Sequence, residues 1–185
     1  KRKSLVKSKH IFPLFIIVFL ITQCKPADTG FDYSNFNKIT KRGAFELYVP
    51  KYLHQDKKLN PKAAIAFSDS LNNTFFMVIR EEIPDTEDDS IVITSENYHQ
   101  FACEGIAAQL KNPDISHGEP DTVNLFPVLN STIDGKYDAH KIYYIVTTIK
   151  TELYFYQLIG WTLYENKATV GNDLFYIAKS FIPAQ

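Results

Sequence analysis

Apolar residues recur at two different periods along this chain. Alternation at period two marks Ala44–Val49, a strand stopped by Pro50, and two further strands over Ala63–Phe67 and Thr74–Arg80. Asn72-Asn73 between the latter two suits a hairpin turn, because Asn tolerates positive φ. The period then changes. From Ser95 to about Leu110 the apolar positions Ala102, Cys103, Ile106 and Leu110 fall on one helical stripe, with Ser95 as the expected cap and Asn112-Pro113 as the stop. Thr122–Leu129 reads as an edge strand, since Pro127 lacks a backbone donor. The longest alternating pair follows, Lys141–Ile149 and Glu152–Tyr164. A last helix is predicted to open at Asn172 or Asp173, with Leu174, Ala178 and Phe181 on its apolar side. The elements predict an α+β domain with helices on part of the second side of a sheet.

Within Glu152–Tyr164, Leu153, Phe155, Ile159, Trp161 and Leu163 share one face, while Tyr154, Tyr156, Leu158 and Tyr164 share the other. The Trp161 face is expected to be core. The other face, with Tyr144, offers a candidate binding surface of Tyr144, Tyr154, Tyr156 and Tyr164, because Tyr presents a flat apolar body with a polar tip. An aromatic ladder covered by a helix is the alternative for the same residues.

The N-terminus has a different character. Lys1, Arg2, Lys3, Lys7 and Lys9 precede an apolar run from Ile11 to Ile21. As a helix that run reaches only about 16 Å, short of the roughly 30 Å of a bilayer core, so it has the length of a signal-peptide h-region. Ile21-Thr22-Gln23-Cys24 then resembles the lipobox of bacterial lipoproteins, with Gln23 larger than the usual small residue before the cut. The resemblance implies a signal peptide over residues 1–23, acylation of Cys24, and anchoring in a bilayer, where each buried methylene contributes about 0.8 kcal/mol. Breakers and polar residues from Lys25 make residues 24–40 the anchor and tether, and leave residues 41–185 as one globular domain.

Composition narrows the chemistry. The 185 residues carry a formal charge of -1, which gives no electrostatic footprint for nucleic acid. His99 and Cys103, one helical turn apart, are two ligands short of a structural zinc site, and Cys103 belongs to the apolar stripe, so no metal site and no cofactor are expected. The run from Glu81 to Asp89 holds six carboxylates but lacks the alternating pattern of a calcium loop, so it reads as a solvated acidic segment. No Gly-x-Ser-x-Gly elbow, phosphate-cradling loop or His-Glu-x-x-His is present, and no catalytic residues are assigned.

The order "GAFELYVPKYL" (Gly43 to Leu53), "AAIAF", "TFFMVIRE" (Thr74 to Glu81), a middle helix, a long strand pair with "LIGWTLYE" (Leu158 to Glu165) and a closing helix ending "AKSF" resembles the PsbP-like family, named after an extrinsic subunit of photosystem II. That resemblance, over about residues 43 to 183, implies a central antiparallel sheet flanked by helices, an α/β/α sandwich, and a role in binding or assembly rather than catalysis. The expected protein is a membrane-anchored lipoprotein of the bacterial cell envelope whose partners are the bilayer, through Cys24, and an envelope protein or small ligand. The alternative is an envelope hydrolase with an unrecognised active site.

Overall fold

A computed structural model describes residues 32–84 and 93–184. The signal segment, Cys24 and most of the acidic run lie outside the described residues. Eleven strands form two antiparallel sheets. The small sheet has the order β1-β2-β11, from Phe36–Lys41, Phe45–Pro50 and Ile182–Pro183. The large one runs β3-β4-β5-β10-β9-β8-β6, with β7 paired to β8 off that path. Its strands are β3 (His54–Gln55), β4 (Ile65–Asp69), β5 (Thr74–Glu82), β6 (Lys111–His117), β7 (Asp121–Val123), β8 (Phe126–Tyr137), β9 (His140–Lys150) and β10 (Tyr154–Leu163). Two helices, α1 (Ser95–Ala107) and α2 (Lys167–Lys179), complete the domain. No described helix is long and apolar enough to cross a membrane.

The strand pair β9–β10 is the backbone of the large sheet, as its alternation predicts. The main core lies on the face opposite to the one expected, although Phe155 and Ile159 of the expected face are buried as well. Tyr156, Leu158, Ile145 and Ile149 join the main core with Phe45, Leu47, Phe76, Leu174 and Phe181, under α2 and the small sheet. Tyr156 is 1% exposed. Thr162, although polar, is fully buried on this side against Thr74, their hydroxyls 3.3 Å apart. Trp161 is only half-buried, and Leu153 lies before β10 and is 67% exposed. The reason is unequal cover. One face receives a helix and a second sheet, whereas α1 lies mainly over the β9, β8 and β6 part of the other and reaches β10 through Tyr98 on Phe155. Period two separates two faces but does not say which receives the greater cover.

Close approach of α2 depends on Gly160. A Cβ there would meet Leu174 at 3.1 Å and Phe76 at 3.2 Å, so a side chain would crowd the contact between α2 and the sheet.

Several boundaries move. β1 occupies most of the last turn of the expected tether and pairs through with β2, from Phe36↔Pro50 to Lys41↔Phe45. Its edge position leaves it largely exposed, so it carries no period-two signature. α1 is capped by Thr94, not Ser95, through the Asn97 N–H at 3.2 Å. It ends at Ala107, and the expected stop, Asn112-Pro113, lies inside edge strand β6, where a register shift and Asn112 at φ 50° accommodate the proline. The single strand expected over Thr122–Leu129 is a hairpin, β7 and β8, turning at Asn124 and Leu125 with φ 48° and 74°. α2 begins at Lys167, before the expected Asn172 or Asp173.

Candidate functional site

α1 sits on its part of the sheet through a small apolar cluster of Ala102, Cys103, Leu110, Ile133 and Val146. This docking turns His99 inward, one turn before Cys103. Beneath it β9 supplies Thr148 and β8 supplies Ser131, while the β6–β8 register sets His117 directly opposite Ser131. His99 Nδ1 is 2.9 Å from Thr148 Oγ1, and His99 Nε2 is 2.7 Å from Ser131 Oγ. The same Ser131 oxygen lies 2.8 Å from His117 Nδ1. Cys103 Sγ is 3.6 Å from His99 Nε2. His117 is exposed, and with Glu96, Gln100, Glu104 and Asn130 it borders a concave pocket of about 350 Å³ above the buried pair.

Burial, and secondarily the charge of His117, lowers the His99 pKa to about 4, so His99 is neutral near pH 7. Burial raises the Cys103 thiol, against the smaller opposing effect of the Ser131 hydroxyl, so the thiol stays protonated. A second, partly buried network adjoins the first. Tyr98 donates its hydroxyl to Glu81, accepts from Gln157 Nε2 at 2.9 Å, and stacks on Phe155 at 4.2 Å. Burial and Glu81 both hold the Tyr98 phenol above its ordinary value.

The Ser131–His99 contact has the donor–acceptor reach of an activated nucleophile. Three features oppose that use. Ser131 is 2% exposed, it lies within a strand rather than on a turn, and the adjacent Gly118 N–H is engaged by the Asn130 carbonyl at 2.8 Å. Among the described residues no three His, Cys, Asp or Glu side chains are grouped to hold a metal ion.

The four tyrosines expected to form one surface do not. Tyr144 lies opposite Trp161 across β9–β10, on the α1 face, its ring 5.9 Å from the indole, which in turn stacks on Phe75 at 5.2 Å. Tyr164 lies past the end of β10 in a 3-10 turn, with Lys141 Nζ 3.5 Å over its ring. Tyr156 is core, its hydroxyl donating to the Ala44 carbonyl at 3.1 Å. Tyr154 is half-buried with the Arg80 guanidinium 4.5 Å over its ring. Tyr154 and Tyr156 do share one feature. With Gly43, Phe126, Leu153 and Ala184 they line an aromatic cavity of about 530 Å³ at the Gly43 end of the two sheets.

Sequence reasoning missed Ser131, Thr148 and His117. They are brought to His99 by strand register across 32, 49 and 18 positions, and nothing local marks them; the one available signal was the alternation of Ile115 and His117 in a strand that Pro113 disguised.

No protein-family model matches the chain, and no curated protein matches it. Solved structures do. Cyanobacterial PsbP (CyanoP) from Synechocystis superposes with TM-score 0.58 at 14% identity, covering 83% of this chain and 95% of that one. LpqN, described as involved in cell envelope biogenesis of Mycobacterium tuberculosis, gives 0.59 at 15%, covering 81% and 91%. A protein of unknown function from Pseudomonas aeruginosa gives 0.50 at 10%, covering 82% and 99%. Identities this low carry the fold alone. This chain sets α1 on one face of its large antiparallel sheet and α2 with the small sheet on the other, and the similarities show that it has a PsbP-like fold.

Proposed function

We propose that this chain is a lipid-anchored binding or assembly module of the bacterial cell envelope, without catalytic activity, and that it engages its partner at the Tyr154–Tyr156 cavity. The observation that carries the reading is the contrast between the pocket at His99 and the Tyr154–Tyr156 cavity. The first keeps the Ser131 hydroxyl buried between two imidazoles. The second is the larger, with Tyr154 and Tyr156 in its wall beside Thr151 and Glu152, and Leu153 exposed at its rim. Such a site suits recognition of an apolar group, where a few aromatic anchors supply most of the binding energy.

Orientation supports this. The described chain enters at Asp32, next to the Phe36↔Pro50 end of the small sheet, and the cavity opens at the Gly43 end, about 20 Å away by the length of a six-residue strand. A module tethered through Cys24 would hold the cavity away from its point of attachment. The lipobox-like Ile21-Thr22-Gln23-Cys24 behind a lysine-flanked apolar run supports the anchor. Membrane fractionation tests it: the wild-type protein is expected in the membrane fraction with a diacylglyceryl mass on Cys24, and Cys24→Ser in the soluble or uncleaved pool. Unchanged processing and membrane association of Cys24→Ser would refute the anchor.

The hydrolase alternative rests on the His99–Ser131 contact. Turnover of simple esters by the purified protein that disappears in Ser131→Ala with the fold intact would establish it in place of the binding reading.

A further inference from the structure

We propose that β1 is a docking edge: an extended, acidic segment of a partner protein pairs with it as a further strand of the small sheet.

The ladder decides which backbone groups are available. Its register runs from Phe36↔Pro50 to Lys41↔Phe45. Continued by one pair, it sets Asn35 opposite Lys51, and the Lys51 N–H donates to the Asn35 carbonyl at 2.9 Å. In an antiparallel ladder every second opposed pair exchanges both bonds. Asn37, Ile39 and Lys41 therefore bond β2, and the N–H and C=O groups of Lys38 and Thr40 point off the edge. The far side of β2 agrees with this parity, since its even-numbered residues serve that side. Glu46 lies opposite Ile182, and the Tyr48 N–H donates to the Ser180 hydroxyl at 2.9 Å. Among the described residues no strand pairs with the outer edge of β1.

Sheet edges are ordinarily guarded against such pairing. β3 and β11 are two residues long, β7 is three, and β6 carries Pro113 and a register shift. β1 has six residues in unbroken register, without proline or glycine. A lysine guards an edge by standing over it. Lys38 is drawn elsewhere, its ammonium 2.7 Å from the Glu46 carboxylate on β2. The Thr40 hydroxyl donates to the same carboxylate at 3.1 Å, so both side chains are held towards β2 and the edge stays open.

Charge selects the occupant. The hairpin from Phe36 to Pro50 carries Lys38, Lys41 and Arg42 against one carboxylate, Glu46, which Lys38 engages. Lys41 and Arg42 are exposed and enter no ion pair among the described residues. A strand with carboxylates at alternate positions would set them against these cations, while main-chain bonds to Lys38 and Thr40 supply the affinity. A second copy of this chain fits less well, because self-pairing brings two sets of the same cations onto one seam. β1 leads through Arg42 to Gly43, which lines the Tyr154–Tyr156 cavity, so a strand paired here ends beside that cavity. The edge rests on its own ladder and stands whether or not the cavity binds a partner.

The probe is an acetylated and amidated eight-residue peptide alternating valine with glutamate, and its counterpart alternates valine with lysine. Amide spectra of the ¹⁵N-labelled full chain in detergent micelles follow both titrations. Without peptide, the Lys38 and Thr40 amides should exchange rapidly with deuterium while those of Asn37 and Ile39 are protected. The glutamate peptide should protect Lys38 and Thr40 and bind at least about tenfold more tightly than the lysine peptide. Thr40→Pro removes an outward donor and spares the bonds to β2. It should weaken the glutamate peptide about tenfold or more with a thermal midpoint near wild type, whereas Ile39→Pro, which breaks a bond to β2, should lower the midpoint. Joint Lys41→Glu and Arg42→Glu should weaken the same peptide without a proline in the strand. Lys38 and Thr40 amides already protected in the absence of peptide would overturn the proposal, as would equal binding of the two peptides or binding indifferent to both variants. Concentration-dependent self-association that Thr40→Pro abolishes would assign the edge to a second copy instead.

Discussion

Acidification should destabilise the domain through one side chain, His99. Its imidazole is buried under α1, and its pKa is lowered from 6.5 to about 4, chiefly by burial and then by His117. The unfolded chain therefore binds the proton more readily than the folded one. Stability is fully present above pH 6.5 and is lost as pH falls from 6.5 towards 4, because in that window only the unfolded state gains the charge. At about 1.4 kcal/mol for each tenfold difference in proton affinity, a displacement of that size is worth about 3 kcal/mol across the whole window. Urea unfolding of the chain from residue 25 onward, followed by Trp161 fluorescence at half-unit pH steps, measures it. His99→Gln should lower stability at pH 7.5, since the bonds to Thr148 and Ser131 are disturbed. The same variant should lose most of the slope between pH 6.5 and 4. Carboxylates such as Asp69 and Asp121, held low by Asn72 and Lys179 respectively, contribute their own loss mainly below about pH 4 in both proteins, so they do not mimic the effect. An identical slope in wild type and His99→Gln would refute the reasoning.

Three further outcomes follow from the packing. Tyr156→Ala should cost about 3–5 kcal/mol, as for a large fully buried aromatic, and Trp161→Ala distinctly less; denaturation midpoints of the two variants check the order. Gly160→Val should destabilise by several kcal/mol or prevent folding, because Leu174 and Phe76 occupy the space, and calorimetry would show it. Removal of residues 1–31 should leave a cooperatively unfolding domain whose midpoint is unchanged by chelator or reductant, whereas removal to residue 41 should lower it by deleting β1.

Much of the fold was legible because the long strands β9 and β10 are alternating and β-branched or aromatic along most of their length, and because α1 carries a helical stripe. The elements that were not legible lie at edges. β1 and β6 expose nearly every side chain, so neither period nor hydrophobicity marks them, and Pro113 argued actively against β6. The faces of β10 were correctly separated, but the main core lies on the other one, since Tyr156 and Thr162 are buried by α2 and the small sheet, elements whose placement depends on the whole topology, while Phe155 and Ile159 are buried on the face that was expected. The tyrosines divided for a related reason: the Trp161↔Tyr144 register sends Tyr144 to the α1 side. His99 and Cys103 were noticed as a pair. Their partner Ser131 was invisible, because a serine in the middle of a strand has no distinguishing neighbours in sequence.

The central claim is that the Tyr154–Tyr156 cavity is where this module meets its partner, and crosslinking in intact cells tests it most directly. A photoreactive amino acid replacing Leu153, 67% exposed at the cavity rim, should give a defined adduct on irradiation, and the same probe replacing Leu71, 93% exposed on the β4–β5 turn, should not. Adding Tyr154→Ala should remove the Leu153 adduct while leaving the amount of folded protein unchanged. Equal adducts from the two positions, or a Leu153 adduct indifferent to Tyr154→Ala, would contradict the account.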